Sequence, residues 1–309
     1  GILWTLNENG GNANRIIKDK ASQHFTFSRS KFTKQSYPSS MMGSMALIRQ
    51  VFHDAKWYAQ GNATNKDLSL EAFNANKSLL QIINANDKLT DLRAAKLGNE
   101  LGVKFVIKGG GNEFERIDEI KKTGATYIIP IDFPEAYDVS DPYLAQQVSL
   151  SDMKFWNQAP FNLKILAENN VPFVISSAGL KDLKSFLPNL RKAVLYGLPK
   201  EKALVALTET PAKLVNQFDK VGSISKGKIA NFIIVSGDLF DEKSEFKKAL
   251  NRFLLKFNKM TIQYEKSILE EKHFGVNSGL VVDEIIPLAK SYGIIESIEN
   301  KHTRQAQSK

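Results

Sequence analysis

The sequence predicts an α/β protein whose core is a parallel β-sheet buried on both faces. Four short apolar runs recur between residues 78 and 177, each bounded by turn residues. Amphipathic stretches of helical period separate these runs, and glycine follows several of them where a helix would end. Apolar strands alternating with helices are typical of βαβ units, which build either a doubly wound sheet or a (β/α) barrel.

The chain before this alternation has a different character. Residues 1–40 are rich in Asn, Ser, Lys and Gly and predict an irregular N-terminal segment, with a short strand near residues 24–27. Apolar residues at helical spacing then predict a long amphipathic helix over residues 40–58 and a short helix over residues 68–77. We expect the barrel or sheet domain to span residues 41–220.

Within the alternating part, Asp87 is placed to cap a helix that ends at Gly102, since glycine favours the left-handed conformation found after a helix. Gly124 follows the next helix in the same way. The predicted strands are residues 78–85, 104–108, 126–131 and 171–177, and the predicted helices between them are residues 89–101, 112–122 and 151–169.

Two helices, residues 184–197 and 199–216, complete this part. Residues 221–243 then read as two short strands joined at a glycine turn. From residue 244 the pattern predicts a helical C-terminal appendage, with a basic amphipathic helix over residues 246–257, another near 283–291 and a polar tail to residue 309. We expect the basic helix to pack on the protein rather than on a membrane.

Composition excludes several classes of protein. The 309 residues include 42 Lys plus Arg and 33 Asp plus Glu, a net charge of +9, but acids interrupt the basic runs, so we expect no nucleic-acid binding. No apolar run approaches the roughly 18 residues of a membrane span. The absence of cysteine excludes disulfides, thiolate metal sites and Cys nucleophiles.

The first residues carry neither a basic leader nor a small-residue cleavage site, so we predict no signal peptide in this chain. This expectation leaves the compartment open, including export of a longer parent protein.

Three motifs lie in the second half of the chain. Residues 189–204 (NLRKAVLYGLPKEKAL) and 206–214 (ALTETPAKL) are similar to the last barrel helices of the amidohydrolase superfamily. Residues 221–232 (VGSISKGKIANF) resemble the return of that superfamily into its small β-sandwich. The resemblance implies a partial or complete (β/α) TIM-type barrel with a β-sandwich remnant.

A closer resemblance is to imidazolonepropionase-like amidohydrolases, in particular the metal-poor N-terminal half of long tandem members. It rests on residues 37–50 (YPSSMMGSMALIRQ), 109–113 (GGGNE) and 186–190 (FLPNL), and the likeness as a whole extends over residues 7–243. It implies descent from metal-dependent hydrolases of C–N bonds other than peptide bonds, such as those of cyclic amides.

Active members, by this resemblance, bind a zinc-type ion through a His-x-His pair, a Lys or Glu, two further His and a final Asp. This chain has four histidines and no His-x-His pair. Lys108 stands where a strand should end in a ligand, and Ser176 and Ser177 stand where the last strand should offer Asp. We therefore expect no metal site and no cofactor, unless another segment or chain supplies the ligands.

A few residues remain as candidates for chemistry or binding. Lys108, Glu113 and Asp132 are candidate acid–base groups. The residues proposed to bind a small molecule or anion follow the ends of strands, where backbone N–H groups and hydroxyls can face a ligand; they are Gly109, Gly110, Gly111, Asn112, Ser176 and Ser177.

Three functions stay open at this point. The first is a catalytically degenerate domain that supports another amidohydrolase domain or forms a homo-oligomer. The second is an active hydrolase that completes its site from another segment or chain. The third is an anion- or nucleotide-binding protein that uses the turn at residues 109–111.

Overall fold

The computed structural model describes residues 1–4, 16–29, 34–229, 232–244 and 246–250. These residues fall into two units: Gly1–Ser223 with Gly237–Glu245, and Ile224–Ser236 with the chain from Phe246. Most of the predicted C-terminal appendage, including the expected helix near 283–291, lies outside the described residues.

The first unit is built on a five-stranded sheet in which every neighbouring pair is parallel. A two-stranded antiparallel ribbon, β1 (Leu3–Trp4) with β2 (Ile16–Lys18), precedes it. The sheet strands, in both sequence order and spatial order, are β3 (Ser22–Thr26), β4 (Leu80–Asn84), β5 (Val106–Lys108), β6 (Tyr127–Pro130) and β7 (Phe173–Ser176).

The consecutive strand order distinguishes the two predicted architectures. A doubly wound sheet reverses its strand order at a switch point, whereas a (β/α) barrel adds each strand beside the previous one. The sheet never reverses, so it is an arc of a barrel. The predicted α/β class and partial barrel are confirmed, and the arc begins at Ser22, inside the segment that we expected to be irregular.

Helices connect the strands, and their ends follow the predicted local chemistry. The Asp87 side chain accepts hydrogen bonds from the backbone N–H groups of Leu89 and Thr90, and Gly102 ends the same helix at φ 68°. The α-helices of the described residues are α1 (Met41–Ala59), α2 (Leu68–Ala75), α3 (Lys88–Leu101), α4 (Ile117–Lys122), α5 (Pro142–Gln147), α6 (Leu150–Gln158), α7 (Asn162–Glu168), α8 (Phe186–Leu195), α9 (Lys200–Leu207) and α10 (Glu209–Leu214).

One long helix was predicted where the structure has two. The chain over residues 151–169 forms α6 and α7, separated by a short 3₁₀ turn over Ala159–Phe161. Pro160 explains the break, because proline lacks the N–H that an α-helix would use and its ring clashes with the preceding turn.

The core lies between the sheet and its helices. Ile83, Ile107 and Ile129 are fully or almost fully buried there, together with Leu97 of α3 and Leu163 of α7. At the first strand of the sheet, a group of four aromatic rings packs β3 against α1, α2 and the residue before β5. The ring centroids lie 4.9–5.7 Å apart in the contacts Phe25–Phe52, Phe52–Phe73 and Phe25–Phe105.

The second unit is an antiparallel pair, β8 (Phe232–Val235) with β9 (Phe246–Leu250). The helix predicted from residue 246 is wrong over Phe246–Leu250, because these residues form a strand with β8, and residues 251–257 lie outside the described part. The first of the two predicted return strands is also wrong, since residues 221–229 form turns.

Among the described residues, no helix combines the length and the apolar character that crossing a membrane requires.

Candidate functional site

The carboxyl ends of the five strands meet at one edge of the sheet, which is where barrel enzymes place their chemistry. The strand register orders particular residues there. Thr26 pairs with Asn84, and Asn84 pairs with Lys108. Lys108 pairs with Ile128, so Pro130 and its partner Ser176 lie one layer further towards the carboxyl ends of the strands. We call the surface formed by Thr26, Asn84, Lys108, Pro130 and Ser176 the mouth.

These side chains lie on the face of the sheet that points away from the core. Ile83 and Ile107 are completely buried between the sheet and the helices. Successive residues of a strand point to opposite faces, so Asn84 and Lys108 face the inside of the barrel arc. Both are half-buried.

The glycine turn after β5 is held by packing and by its own hydrogen bonds. The Gly109 N–H donates to the Ile128 carbonyl at 3.0 Å, and the Gly111 N–H donates to Glu113 Oε1 at 3.0 Å. A Cβ at position 109 would overlap the Glu113 carboxylate, and one at position 110 would overlap the Asn86 carbonyl. Close packing therefore accounts for the first two glycines, and φ of 90° accounts for Gly111.

The side chain of Asn112, a predicted ligand-binding residue, is also engaged within the protein. Its Oδ1 accepts a hydrogen bond from the Lys88 N–H at 2.9 Å, at the first residue of α3. The turn thus joins β5 to the start of α3.

Glu113 lies beneath this turn, on the core side of the sheet, and it is completely buried. Asn162 Nδ2 donates to Glu113 Oε2 at 2.6 Å, and Asn162 Oδ1 accepts from the Phe114 N–H at 2.9 Å. The structure therefore separates two of the three candidate acid–base groups, because Lys108 faces the inside of the arc and Glu113 faces the helices.

The third candidate, Asp132, follows β6 and is exposed. Its Oδ2 would lie 2.7 Å from a Cβ at Gly179, which has a φ of 87°, so the carboxyl packs against that glycine. The predicted serines lie after β7: Ser176 Oγ accepts a hydrogen bond from the Ala178 N–H at 3.1 Å, and Ser177 is exposed. No comparison tests the roles predicted for these residues, and they stay predictions.

The model of the amidohydrolase family matches residues 32–265, about three quarters of the chain. This chain belongs to the amidohydrolase family.

A solved structure agrees in fold. An amidohydrolase from Thermotoga maritima aligns with a TM-score of 0.61 at 22% identity, over 77% of this chain and 63% of its own. A Xaa-Pro dipeptidase with bound methionine (TM-score 0.43, 21% identity, 59% and 46% of the two chains) and a prolidase complexed with N-methylphosphonate-L-proline (0.44, 16%, 75% and 68%) are more distant. Comparison with curated proteins gives no match.

The residues at the mouth do not fit the metal that the amidohydrolase family implies. A zinc-type ion requires imidazole, carboxylate or thiolate ligands. The mouth offers a hydroxyl, an amide, an ammonium and a second hydroxyl instead. Across the described ranges, no group of three or more His, Cys, Asp or Glu residues is arranged to hold a metal ion. A Lys ammonium in the middle of the mouth would repel a cation.

Asp91, a buried acid that lies beside Glu113 under the glycine turn, was not identified from the sequence. Asp91, in the first turn of α3, is completely buried beside Glu113, and within the described residues neither of its oxygens accepts a hydrogen bond. Residues 90, 91, 94, 97 and 98 are the buried positions of the helix. Asp91 thus lies on the apolar stripe of an amphipathic helix, a signal that the sequence does carry.

Burial, and then the nearby charges of Glu113 and Asp87, raise the pKa of Asp91 to about 9. At neutral pH Asp91 is therefore protonated and uncharged. This state removes the conflict of an unpartnered buried carboxylate. Glu113 itself accepts hydrogen bonds from two groups of the protein, the N–H of Gly111 and the side-chain amide of Asn162.

The raised pKa of Asp91 makes stability depend on pH. In the unfolded chain the Asp91 pKa returns to its usual 3.8, so between about pH 4 and pH 9 the folded state holds a proton that the unfolded state releases. The contribution of Asp91 to stability is therefore complete below about pH 4 and is lost as the pH rises through about 9.

We expect Asp91→Asn to flatten this loss, because the amide is uncharged and does not titrate in this range. Urea unfolding at about pH 5, 7 and 9 measures the effect. Asp118→Asn, an exposed acid of α4, is the matched control and should keep the wild-type profile. Parallel profiles for wild type and Asp91→Asn would contradict the raised pKa of Asp91.

Proposed function

We propose that this chain is a catalytically degenerate amidohydrolase-family domain that supports another amidohydrolase domain or a second copy of itself. The observation that carries the proposal is the composition of the mouth. Register and strand alternation bring Asn84 and Lys108 level on the inside of the barrel arc, and neither side chain is a ligand that zinc takes readily. By the resemblance, Lys108 stands where a metal-dependent member would have a ligand.

Two other functions fit the geometry less well. An active hydrolase using Lys108, Glu113 and Asp132 would need these groups on one substrate, but Glu113 lies on the opposite face of the sheet in a closed set of hydrogen bonds. A nucleotide-binding turn would need unengaged N–H groups, and those of Gly109 and Gly111 already donate to protein oxygens.

The supporting role is argued from the edges of the sheet. Among the described residues, β3 and β7 are the terminal strands of the five, and each has one strand neighbour. A parallel strand with an unpaired edge presents rows of N–H and C=O groups that pair readily with another chain. The chain spans 63% of the length of the Thermotoga maritima amidohydrolase. Because the match covers only part of that protein, any activity of the whole protein is proposed here for this chain.

Loss of catalysis is tested with a panel of lactams, hydantoins and dipeptides, assayed with the full chain in the presence of zinc or manganese. We expect no turnover above the buffer rate, because the mouth lacks the ligands that would hold a metal ion and let it ionise a bound water. Turnover that disappears in Lys108→Ala, and persists in the control Lys104→Ala, two residues before β5, would contradict the proposal.

The supporting role is tested by multi-angle light scattering over a range of protein concentrations. We expect the mass of the full chain to exceed that of a monomer at high concentration, through pairing of copies at an open edge. If the chain remains a monomer throughout and also fails to bind a separate, metal-containing amidohydrolase domain of the same parent protein, the assembly role is wrong.

A further inference from the structure

Lys108 is a half-buried cation whose charge no described residue compensates through an ion pair. Within the described part of the chain, its ammonium group takes part in no hydrogen bond and no ion pair, whereas Lys88, Lys200 and Lys213 each have a carboxylate partner. A buried or half-buried lysine is usually paired, because removing an unpaired charge from water is unfavourable. An anion bound from solution would supply the partner that the Lys108 ammonium lacks among the described residues.

The carboxylates closest in sequence to the strand ends cannot serve as that partner. Asp87 accepts three hydrogen bonds at the start of α3, from Leu89 and from the N–H and hydroxyl of Thr90. Glu113 is buried on the core side of the sheet. Asp132 is exposed and packs against Gly179. The mouth is therefore positive without a negative side chain among these three to balance it.

One neutral donor lies level with this charge, and a second lies one layer further out. The half-buried amide of Asn84, the register partner of Lys108, makes no hydrogen bond with the described residues. The hydroxyl of Ser176, two strands away from Lys108 on the same face, accepts from Ala178, which leaves its own proton to donate. An ammonium, an amide and a hydroxyl on one face form a donor set suited to oxygen anions.

His24 lies on β3 two residues before Thr26, on the same face of the sheet, and its pKa responds to the charge of Lys108. Burial lowers the pKa of His24, and the positive charges of the chain's amino group and of Lys108 lower it further. The ring is thus kept neutral beside Lys108, and its Nε2 shares a hydrogen bond of 2.9 Å with Ser22 Oγ.

We propose that the mouth binds a small oxyanion, a carboxylate or a phosphate group, with Lys108 as the charged contact and Asn84 and Ser176 as neutral donors. The exchange of metal ligands for these residues has converted a cation site into an anion site. Anion binding at the mouth and the supporting role of the domain have one premise in common, the loss of metal ligands. A negative result for anion binding therefore leaves the supporting role untouched.

Calorimetric titration of the full chain with inorganic phosphate and, separately, with acetate in low-chloride buffer tests the site. We expect saturable binding of at least one anion, and the two titrations distinguish phosphate from carboxylate. Lys108→Met should weaken binding by about tenfold or more, and Lys108→Arg should retain it because the charge remains. Lys104→Met, exposed at the start of the same region, is the matched control and should bind as wild type does.

Asn84→Ala provides a second variant, in case Lys108→Met does not fold, and should weaken binding a few-fold because one neutral donor is lost. Circular dichroism establishes that each variant is folded. The proposal is overturned if neither anion binds saturably, if folded Lys108→Met binds as tightly as wild type, or if Lys104→Met weakens binding as much as Lys108→Met does.

Discussion

A parallel strand sends alternate side chains to opposite faces, and in this protein that constraint determines both the core and the mouth. Ile83 and Ile107 must face the helices because they are fully buried there. Their neighbours Asn84 and Lys108 must then face the inside of the barrel arc, level with each other. The orientation of the residues at the mouth is therefore fixed by the packing of the residues beside them.

The buried pair of Asp91 and Glu113 is the second organising contact. It lies under the turn that follows β5 and, through Asn162, reaches the start of α7. Because Glu113 also receives the Gly111 N–H, the acid that seemed available for catalysis holds the turn instead. The Glu113 carboxyl also explains why glycine is needed at position 109, because a Cβ there would overlap it. The glycine turn and Glu113, two separate candidates in the sequence, thus form one structural element.

Sequence patterns predicted the regular part of the fold well because local signals agree with tertiary structure there. β4 to β7 and the helix between Asp87 and Gly102 lie where apolar runs and caps place them. Phe246–Leu250 was predicted as a helix because its apolar residues also fit helical spacing, and pairing with β8 overrides that pattern. The placement of Glu113 and Lys108 on opposite faces of the sheet depends on the strand register and on the buried acid Asp91. The periodicity of apolar residues alone predicts neither of these.

The central claim is that an amidohydrolase scaffold persists here without its metal site. Its most direct test is the metal content of the full chain after incubation with excess zinc and dialysis against metal-free buffer, measured by plasma mass spectrometry. Our account predicts a zinc content far below one ion per chain, since the mouth presents an ammonium, an amide and hydroxyls. Retention of one zinc ion per chain, abolished by substitutions at the mouth, would contradict it.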